Sequence, residues 1–224
     1  MKMTRRVLIA LVMTLLFAPL IHGQDLSRYR SFPLGASLVK LSNQADLGPL
    51  PATVIHKRPA VIQEVTWWPP PVADSSRAAE PVSQVLLTFY NGELYKILVT
   101  YDRRATEGLT SEDMIRALSA KYGTATRPDV TISFPSTDME GPTQKVIARW
   151  EDSQRSVNLF RSSALDNFGL VMFSKQLNAQ AEVAIAESVK LDVQEAPQME
   201  MARQIKEAGD LEVARQKNIK MFRP

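Results

Sequence analysis

The sequence predicts an α+β protein made of two helix-plus-antiparallel-meander units, followed by a C-terminal helical extension. Three observations lead to this class. Runs rich in β-branched and aromatic residues alternate with short helical patterns over residues 24–178. The order of a helix followed by strands occurs twice in that range, which suggests an internal duplication. From residue 179 to 224 the chain has few aromatic or β-branched residues, which favours helix.

Residues 1–23 have the layout of a secretory signal peptide. An apolar run over residues 7–17 is preceded by three cations, Lys2, Arg5 and Arg6. We expect cleavage after Gly23, because the run is shorter than the ~20 residues that span a bilayer. The alternative is that the segment is kept as an anchor. The mature protein is therefore expected to be secreted or periplasmic.

The formal net charge of +3 belongs to this leader, which contains three cations and no acid. The mature chain is then formally neutral, which argues against nucleic acid as a partner. The chain contains no cysteine, so its fold depends on a packed core and not on disulfides. Roughly 200 mature residues are enough to bury such a core.

The first unit spans about residues 30–101. A short helix is predicted over residues 34–44, and an irregular connection over the proline-containing residues 46–59. A strand over residues 60–68 ends at three prolines, and residues 69–81 are predicted to form an exposed loop.

A β-hairpin over residues 85–101 is the most sharply defined element. Its two strands flank Asn91-Gly92, a pair typical of a type I′ turn. Alternation along each strand predicts one shared face for Val85, Leu87 and Phe89, and one for Tyr95, Ile97, Val99 and Tyr101.

The second unit spans about residues 110–177 and begins with a helix that ends before Gly123. Thr110 is the predicted N-cap, with Asp113 completing a capping box. The apolar stripe of this helix comprises Met114, Ile115, Leu118 and Tyr122. Strands are predicted over residues 130–134, 144–150, 155–162 and 168–177.

The C-terminal segment, residues 179–224, is predicted to be helical from an N-cap at Asn178, with an interruption at Pro197. The stretch after Pro197 has a narrow apolar stripe formed by Met201, Ile205, Ala208 and Leu211. It is either a docking helix for a partner or a membrane surface, or a helix folded back on the domain. Its final residues, KNIKMFRP, are basic and could contact an anionic surface.

Corresponding strands in the two units end in EVTWW and VIARW, which places Trp68 and Trp150 at equivalent positions. This order of elements resembles the tandem-repeat architecture of the β-lactamase inhibitor protein family. Each half resembles the small outer-membrane assembly lipoproteins of the SmpA/OmlA type, notably in LGASL and YNGELYKI. The likeness covers about residues 30–177, although the chain lacks the lipobox cysteine and the disulfide cysteines. It implies a non-enzymatic, protein-binding role.

Several catalytic chemistries are excluded by composition. The chain has no cysteine and only two histidines, His22 in the leader and His56 beside Lys57 and Arg58. Thiol nucleophiles and His/Cys zinc clusters are therefore absent, and His56 is expected to be a loop residue. No Gly-rich phosphate-binding motif is present. We expect neither a metal nor a cofactor.

The function that the sequence favours is a non-enzymatic adaptor that binds an envelope or secreted protein. Large aromatic rings supply contact area at low entropic cost, so the predicted binding residues are Trp67, Trp68, Tyr95 and Trp150. The competing interpretation places these rings in the core. The alternative function is a carboxylate-dependent hydrolase such as a glycosidase, for which the candidate acids are Glu93, Asp102, Glu151 and Asp152.

Overall fold

The computed structural model describes residues 25–44, 50–70, 80–134, 143–162 and 166–223. The predicted signal peptide and most of the predicted loop over residues 69–81 lie outside the described residues. The helices in the described part are α1 (Leu38–Ser42), α2 (Ser111–Tyr122) and α3 (Lys175–Met221). The α+β class and the C-terminal helical extension are thus confirmed.

The strands of the described part fall into two sheets. Arg28–Tyr29 (β1) and Phe32–Pro33 (β2) form a short antiparallel pair. The other eight form one antiparallel sheet in the order β3-β4-β5-β6-β10-β9-β8-β7. These strands are β3 (Ala52–His56), β4 (Ile62–Trp67), β5 (Val82–Tyr90), β6 (Glu93–Tyr101), β7 (Thr131–Ser133), β8 (Thr143–Glu151), β9 (Arg155–Arg161) and β10 (Phe168–Ser174).

Strand β6 pairs with β10 at the centre of this sheet. Strands β3 to β6 form one half of the sheet, and strands β7 to β10 form the other. The central pairing covers five residue pairs, with Leu98 opposite Val171 in the middle. The prediction of an irregular connection over residues 46–59 was wrong, because β3 lies within it. Pro51 and Pro59 flank this edge strand, so neither removes a donor from the ladder.

The hairpin formed by β5 and β6 has the predicted turn. Asn91 and Gly92 both have positive φ, at 49° and 83°, as a type I′ turn requires. The predicted shared face of Val85, Leu87 and Phe89 is confirmed, since all three lie in the main core.

The predicted face of Tyr95 was wrong. The pairing register of β5 and β6 shifts between Thr88 and Phe89, so that Thr88 faces Lys96 while Phe89 faces Leu94. Tyr95 is the extra residue of this β-bulge, and a bulge reverses which face a side chain occupies. Tyr95 therefore packs against the second sheet face, away from the main core that contains Ile97.

Helices α1 and α2 cover the main-core face of the sheet. The capping box of α2 is present as predicted: Asp113 N–H donates to Thr110 Oγ1 at 3.2 Å, and Thr110 N–H donates to Asp113 Oδ2 at 3.0 Å. From the predicted stripe, Met114 and Tyr122 are buried, and Ile115 and Leu118 are half-buried against the core.

Helix α3 begins at Lys175, with Ser174 as its N-cap, and not after Asn178 as predicted. Residues in and beside the turn between β8 and β9 bond the first residue of this helix. Lys175 N–H donates to Gln154 O at 2.8 Å, and the Lys175 ammonium lies 2.7 Å from a Glu151 carboxylate oxygen.

The predicted interruption at Pro197 was also wrong, because α3 continues through it to Met221. Proline cannot donate an N–H to the carbonyl four residues earlier, so one helical bond is lost there. The residues around Pro197 are mostly Gln, Glu, Met and Ala, which are strong helix formers.

Candidate interaction surfaces

Helix α3 divides into two parts with different surroundings. The part over residues 175–195, the anchored half, packs on the second sheet face. Ala181, Ala184 and Ser188 are buried there, and the small side chain of Ala181 contacts Ile62 and Tyr95. Small residues at these positions let the helix backbone approach the sheet closely.

Polar contacts hold the far end of the anchored half. Ser188 Oγ lies 3.0 Å from Nδ1 of His56, which ends β3. The guanidinium of Arg58 contacts Glu195 through two nitrogen–oxygen pairs, at 2.7 and 2.6 Å, and reaches Asp192 at 3.2 Å. In the described part of the chain, Glu195 is the last helix residue with a hydrogen bond or ion pair to the sheet domain.

The remaining part of the helix, with the two residues after it, is the free half, residues 196–223. Every residue in it is exposed. Its ion pairs are internal to the helix, since Arg203 pairs with Glu200 and Glu207, and Arg215 pairs with Glu212. The exposed large apolar residues are Met199, Met201, Ile205, Leu211, Val213, Ile219, Met221 and Phe222.

Burying the exposed apolar side chains of the free half would be favourable. The side chains of Met201, Ile205 and Leu211, which lie on the predicted stripe, are 61%, 75% and 72% exposed. Fully burying a side chain of this size contributes roughly 1.5–3 kcal/mol. An isolated helix is marginally stable in water, and tertiary contacts normally stabilise it. The free half is thus a surface that gains stability when something covers it.

Two of the four predicted binding residues are buried. Trp150 is 1% exposed, and its indole N–H donates to Gly123 O at 3.0 Å. Tyr95 is also 1% exposed, beneath the anchored half of α3. Neither ring presents surface to a ligand in this structure, so the core interpretation describes both.

The other two residues, Trp67 and Trp68, differ from each other. Trp67 is half-buried and meets the ring of Phe32 edge-on, with centroids 5.3 Å apart. Trp68 follows the end of β4 and is 64% exposed. Among the four predicted residues, Trp68 is the one with a large free surface.

Counted outward from the central β6–β10 pair, the position of Trp150 on β8 corresponds to that of Trp67 on β4. The sequence had predicted Trp68 as the equivalent residue. Trp67 faces Val85, which faces Val99, the residue after Leu98. Trp150 faces Val157, which faces Met172, the residue after Val171. From the centre of the sheet outward, the residues at corresponding positions are Val99 and Met172, Val85 and Val157, and Trp67 and Trp150.

The candidate acids of the hydrolase hypothesis occupy structural positions. Asp102 accepts from Ala105 N–H at 3.0 Å, and Asp152 accepts from Arg155 N–H at 2.6 Å, so both close turns. Glu151 pairs with Lys175, and Glu93 is exposed beside the hairpin turn.

Two partly buried charged residues on the second sheet face, Glu64 and Lys96, were not identified from the sequence. Glu64, Thr88 and Lys96 lie opposite one another on β4, β5 and β6. Burial raises the pKa of the Glu64 carboxyl and lowers the pKa of the Lys96 ammonium, and each charge partly offsets the shift of the other. Their alignment depends on strand register, which composition and spacing do not reveal.

Neither a metal site nor a membrane span occurs among the described residues. Their acids and histidine form no group of three or more that could hold a metal ion. None of their helices is long and apolar enough to cross a membrane. No protein-family model matches the chain, and no curated protein or solved structure matches it significantly.

Proposed function

We propose that the protein is a non-enzymatic adaptor, secreted or periplasmic, that binds another envelope or secreted protein through the free half of α3. The observation that carries this proposal is the contrast within one helix. Residues 175–195 are fixed on the sheet, whereas residues 196–223 are all exposed and include eight large apolar side chains. Helices that carry apolar residues commonly bind by laying them in a groove of a partner.

The stripe formed by Met201, Ile205 and Leu211 is the part of the free half that we assign to the partner. At about 100° per residue these side chains fall within a sector of roughly 120°. Met199 and Val213 are equally exposed, at 68% and 71%, but project from the other side of the helix. The chain therefore contains its own matched control.

The test compares three forms of the chain from residue 24 onward as bait on an envelope fraction, with each recovered protein then purified for a direct binding measurement. Met201→Ser/Ile205→Ser/Leu211→Ser is expected to weaken binding on the order of 100-fold or more, since three apolar contacts are lost. Met199→Ser/Val213→Ser is expected to bind like the wild type. Equal binding by both variants, or recovery of no partner by the wild type, would contradict the proposal.

The export of the protein is part of the same proposal. The leader over residues 1–23 supports it through its basic start and apolar run. Mass spectrometry of the protein from the envelope fraction is expected to find Gln24 as the first residue. An intact leader on protein in that fraction would instead favour the retained anchor.

We also propose that the two halves of the sheet domain arose by duplication, as the resemblance to tandem-repeat inhibitor proteins implies. The matching order of β3-β4-β5-β6 and β7-β8-β9-β10 on either side of the central pair supports this. The corresponding positions of Trp67 and Trp150 support it as well. Superposition of the two halves tests the idea: it should align these two indoles without a register shift.

A further inference from the structure

The last part of the free half differs in charge from the part before it. We call residues 213–223 the tip. All four acids of the free half, Glu200, Glu207, Asp210 and Glu212, come before the tip. The tip contains four cations and no acid: Arg215, Lys217, Lys220 and Arg223. Residues 196–212 contain those four acids but only two cations, Arg203 and Lys206. The free half is thus net negative before the tip and positive at its far end.

Most of the positive charge of the tip is unpaired. Arg215 forms an ion pair with Glu212 at 3.0 Å. Among the described residues, Lys217, Lys220 and Arg223 form no ion pair with any acid. The negative end of a helix dipole is equivalent to about half a charge, so it offsets only a fraction of these three cations.

Apolar side chains alternate with these cations. Ile219, Met221 and Phe222 are 56%, 67% and 77% exposed. The helix ends at Met221, and Phe222 follows in an extended conformation, with its N–H donating to Asn218 O at 2.8 Å. Apolar groups surrounded by free cations are the combination that binds the headgroup region of an anionic bilayer.

The arrangement of the cations around the helix favours a planar surface over a groove. At 100° per residue, Arg215 and Lys217 project about 160° apart, and Lys220 projects about 140° from Arg215. A partner groove would contact one side of the helix and leave some of these cations outside it. A flat anionic surface met end-on can reach all of them.

The length of the free half makes such a contact feasible. The last contact with the domain is at Glu195, and the helix ends at Met221. At 1.5 Å per residue, these 26 residues extend about 39 Å. The tip can therefore touch a bilayer while the sheet domain stays clear of it.

We propose that the tip is a peripheral membrane-binding site that recognises anionic phospholipid. Lys217, Lys220 and Arg223 contact headgroup phosphates, and Ile219, Met221 and Phe222 enter the interfacial region. This site is distinct from the Met201, Ile205 and Leu211 stripe that we assign to a protein partner. Binding to lipid needs no partner protein, so the two proposals can fail separately.

The test measures binding of the purified chain from residue 24 onward to vesicles, with its fold checked by circular dichroism. The leader is omitted because its apolar run would bind any bilayer. The vesicles contain either phosphatidylcholine alone or an equimolar mixture with phosphatidylglycerol. We expect binding to the anionic vesicles, weak binding to the neutral ones, and loss of binding as salt is raised.

Lys217→Gln/Lys220→Gln/Arg223→Gln is expected to reduce the partition coefficient on anionic vesicles about 100-fold, since each cation near the surface contributes roughly a fivefold factor. The control, Lys190→Gln/Arg203→Gln/Lys206→Gln, removes the same charge from earlier in α3 and is expected to change binding only a few-fold. Ile219→Ser/Met221→Ser/Phe222→Ser should also weaken binding. The stripe variant Met201→Ser/Ile205→Ser/Leu211→Ser should bind vesicles like the wild type.

Three outcomes would overturn the inference. The first is no binding of the wild type to anionic vesicles. The second is equal binding to neutral and anionic vesicles. The third is an equal loss in the tip-charge variant and in its control, which would show attraction by overall charge. Binding of the tip to an acidic protein in place of lipid would appear as the first outcome.

Discussion

Replacing Gly169 by alanine is expected to destabilise the protein although it adds only one methyl group. Gly169 lies in β10, opposite Phe160 of β9. A Cβ at this position would lie 2.7 Å from both ε carbons of the Phe160 ring and closer still to its Cζ, whereas ordinary contacts are 3.4–4 Å. The ring must therefore move by roughly 1 Å.

The surroundings of Phe160 resist that movement. Its side chain is 7% exposed, and its ring meets the Phe134 ring at a centroid distance of 5.0 Å. Overpacking of this kind costs about 1–3 kcal/mol, and replacing glycine in a strand returns about 0.5–1 kcal/mol. We expect Gly169→Ala to lower the free energy of unfolding by about 1–2 kcal/mol, which lowers Tm by roughly 2–8 °C.

Urea unfolding followed by tryptophan fluorescence measures this change. Gly209→Ala is the control, because a Cβ there meets nothing within 4 Å in the exposed helix, and it should not lower the stability of the domain. In a Phe160→Leu background, Gly169→Ala should cost about 1–2 kcal/mol less. The reasoning is refuted if Gly169→Ala is as stable as the wild type, or if its cost is the same in both backgrounds.

Three further predictions concern the helices and the second sheet face. Thr110→Ala should lower stability by about 1 kcal/mol through loss of the α2 cap, whereas Ser111→Ala should change it little in the same urea assay. Pro197→Ala should restore a helical bond, stabilise the free half of α3 locally by up to ~3 kcal/mol and slow its amide hydrogen exchange, with the domain Tm unchanged. Burial raises the pKa of Glu64 above 4.5, so the native state keeps this proton to a higher pH than the unfolded state does. The unfolding free energy of the wild type should therefore fall as pH rises from about 4.5 through the folded pKa of Glu64. Glu64→Gln should remove this fall when the unfolding free energy is measured against pH.

Features that depend on neighbouring residues were predictable from the sequence. The type I′ turn at Asn91-Gly92 and the capping box between Thr110 and Asp113 each involve residues within a few positions of each other. Their geometry follows from backbone preference and one or two local hydrogen bonds. The compositional change that predicted a helical C-terminal segment is local in the same sense.

Features that depend on distant partners were not predictable. The bulge that turns Tyr95 to the second face exists because β5 and β6 change register, and the burial of Tyr95 needs the anchored half of α3 above it. Strand β3 is defined by its pairing with β4. Local turn signals at prolines masked β3 and suggested a break at Pro197, where strong helix formers on both sides prevailed.

The central pairing of β6 with β10 has a consequence for how the chain folds as it emerges from its N-terminus onward. The pairings β3-β4, β4-β5 and β5-β6 all join neighbours along the chain, so they can form once Tyr101 has emerged. Until β10 is complete at Ser174, however, β6 is a nine-residue edge strand with unpaired backbone donors and acceptors. Such an edge invites pairing with another nascent chain. The edge thus stays open to such pairing while the 73 residues from Asp102 to Ser174 emerge.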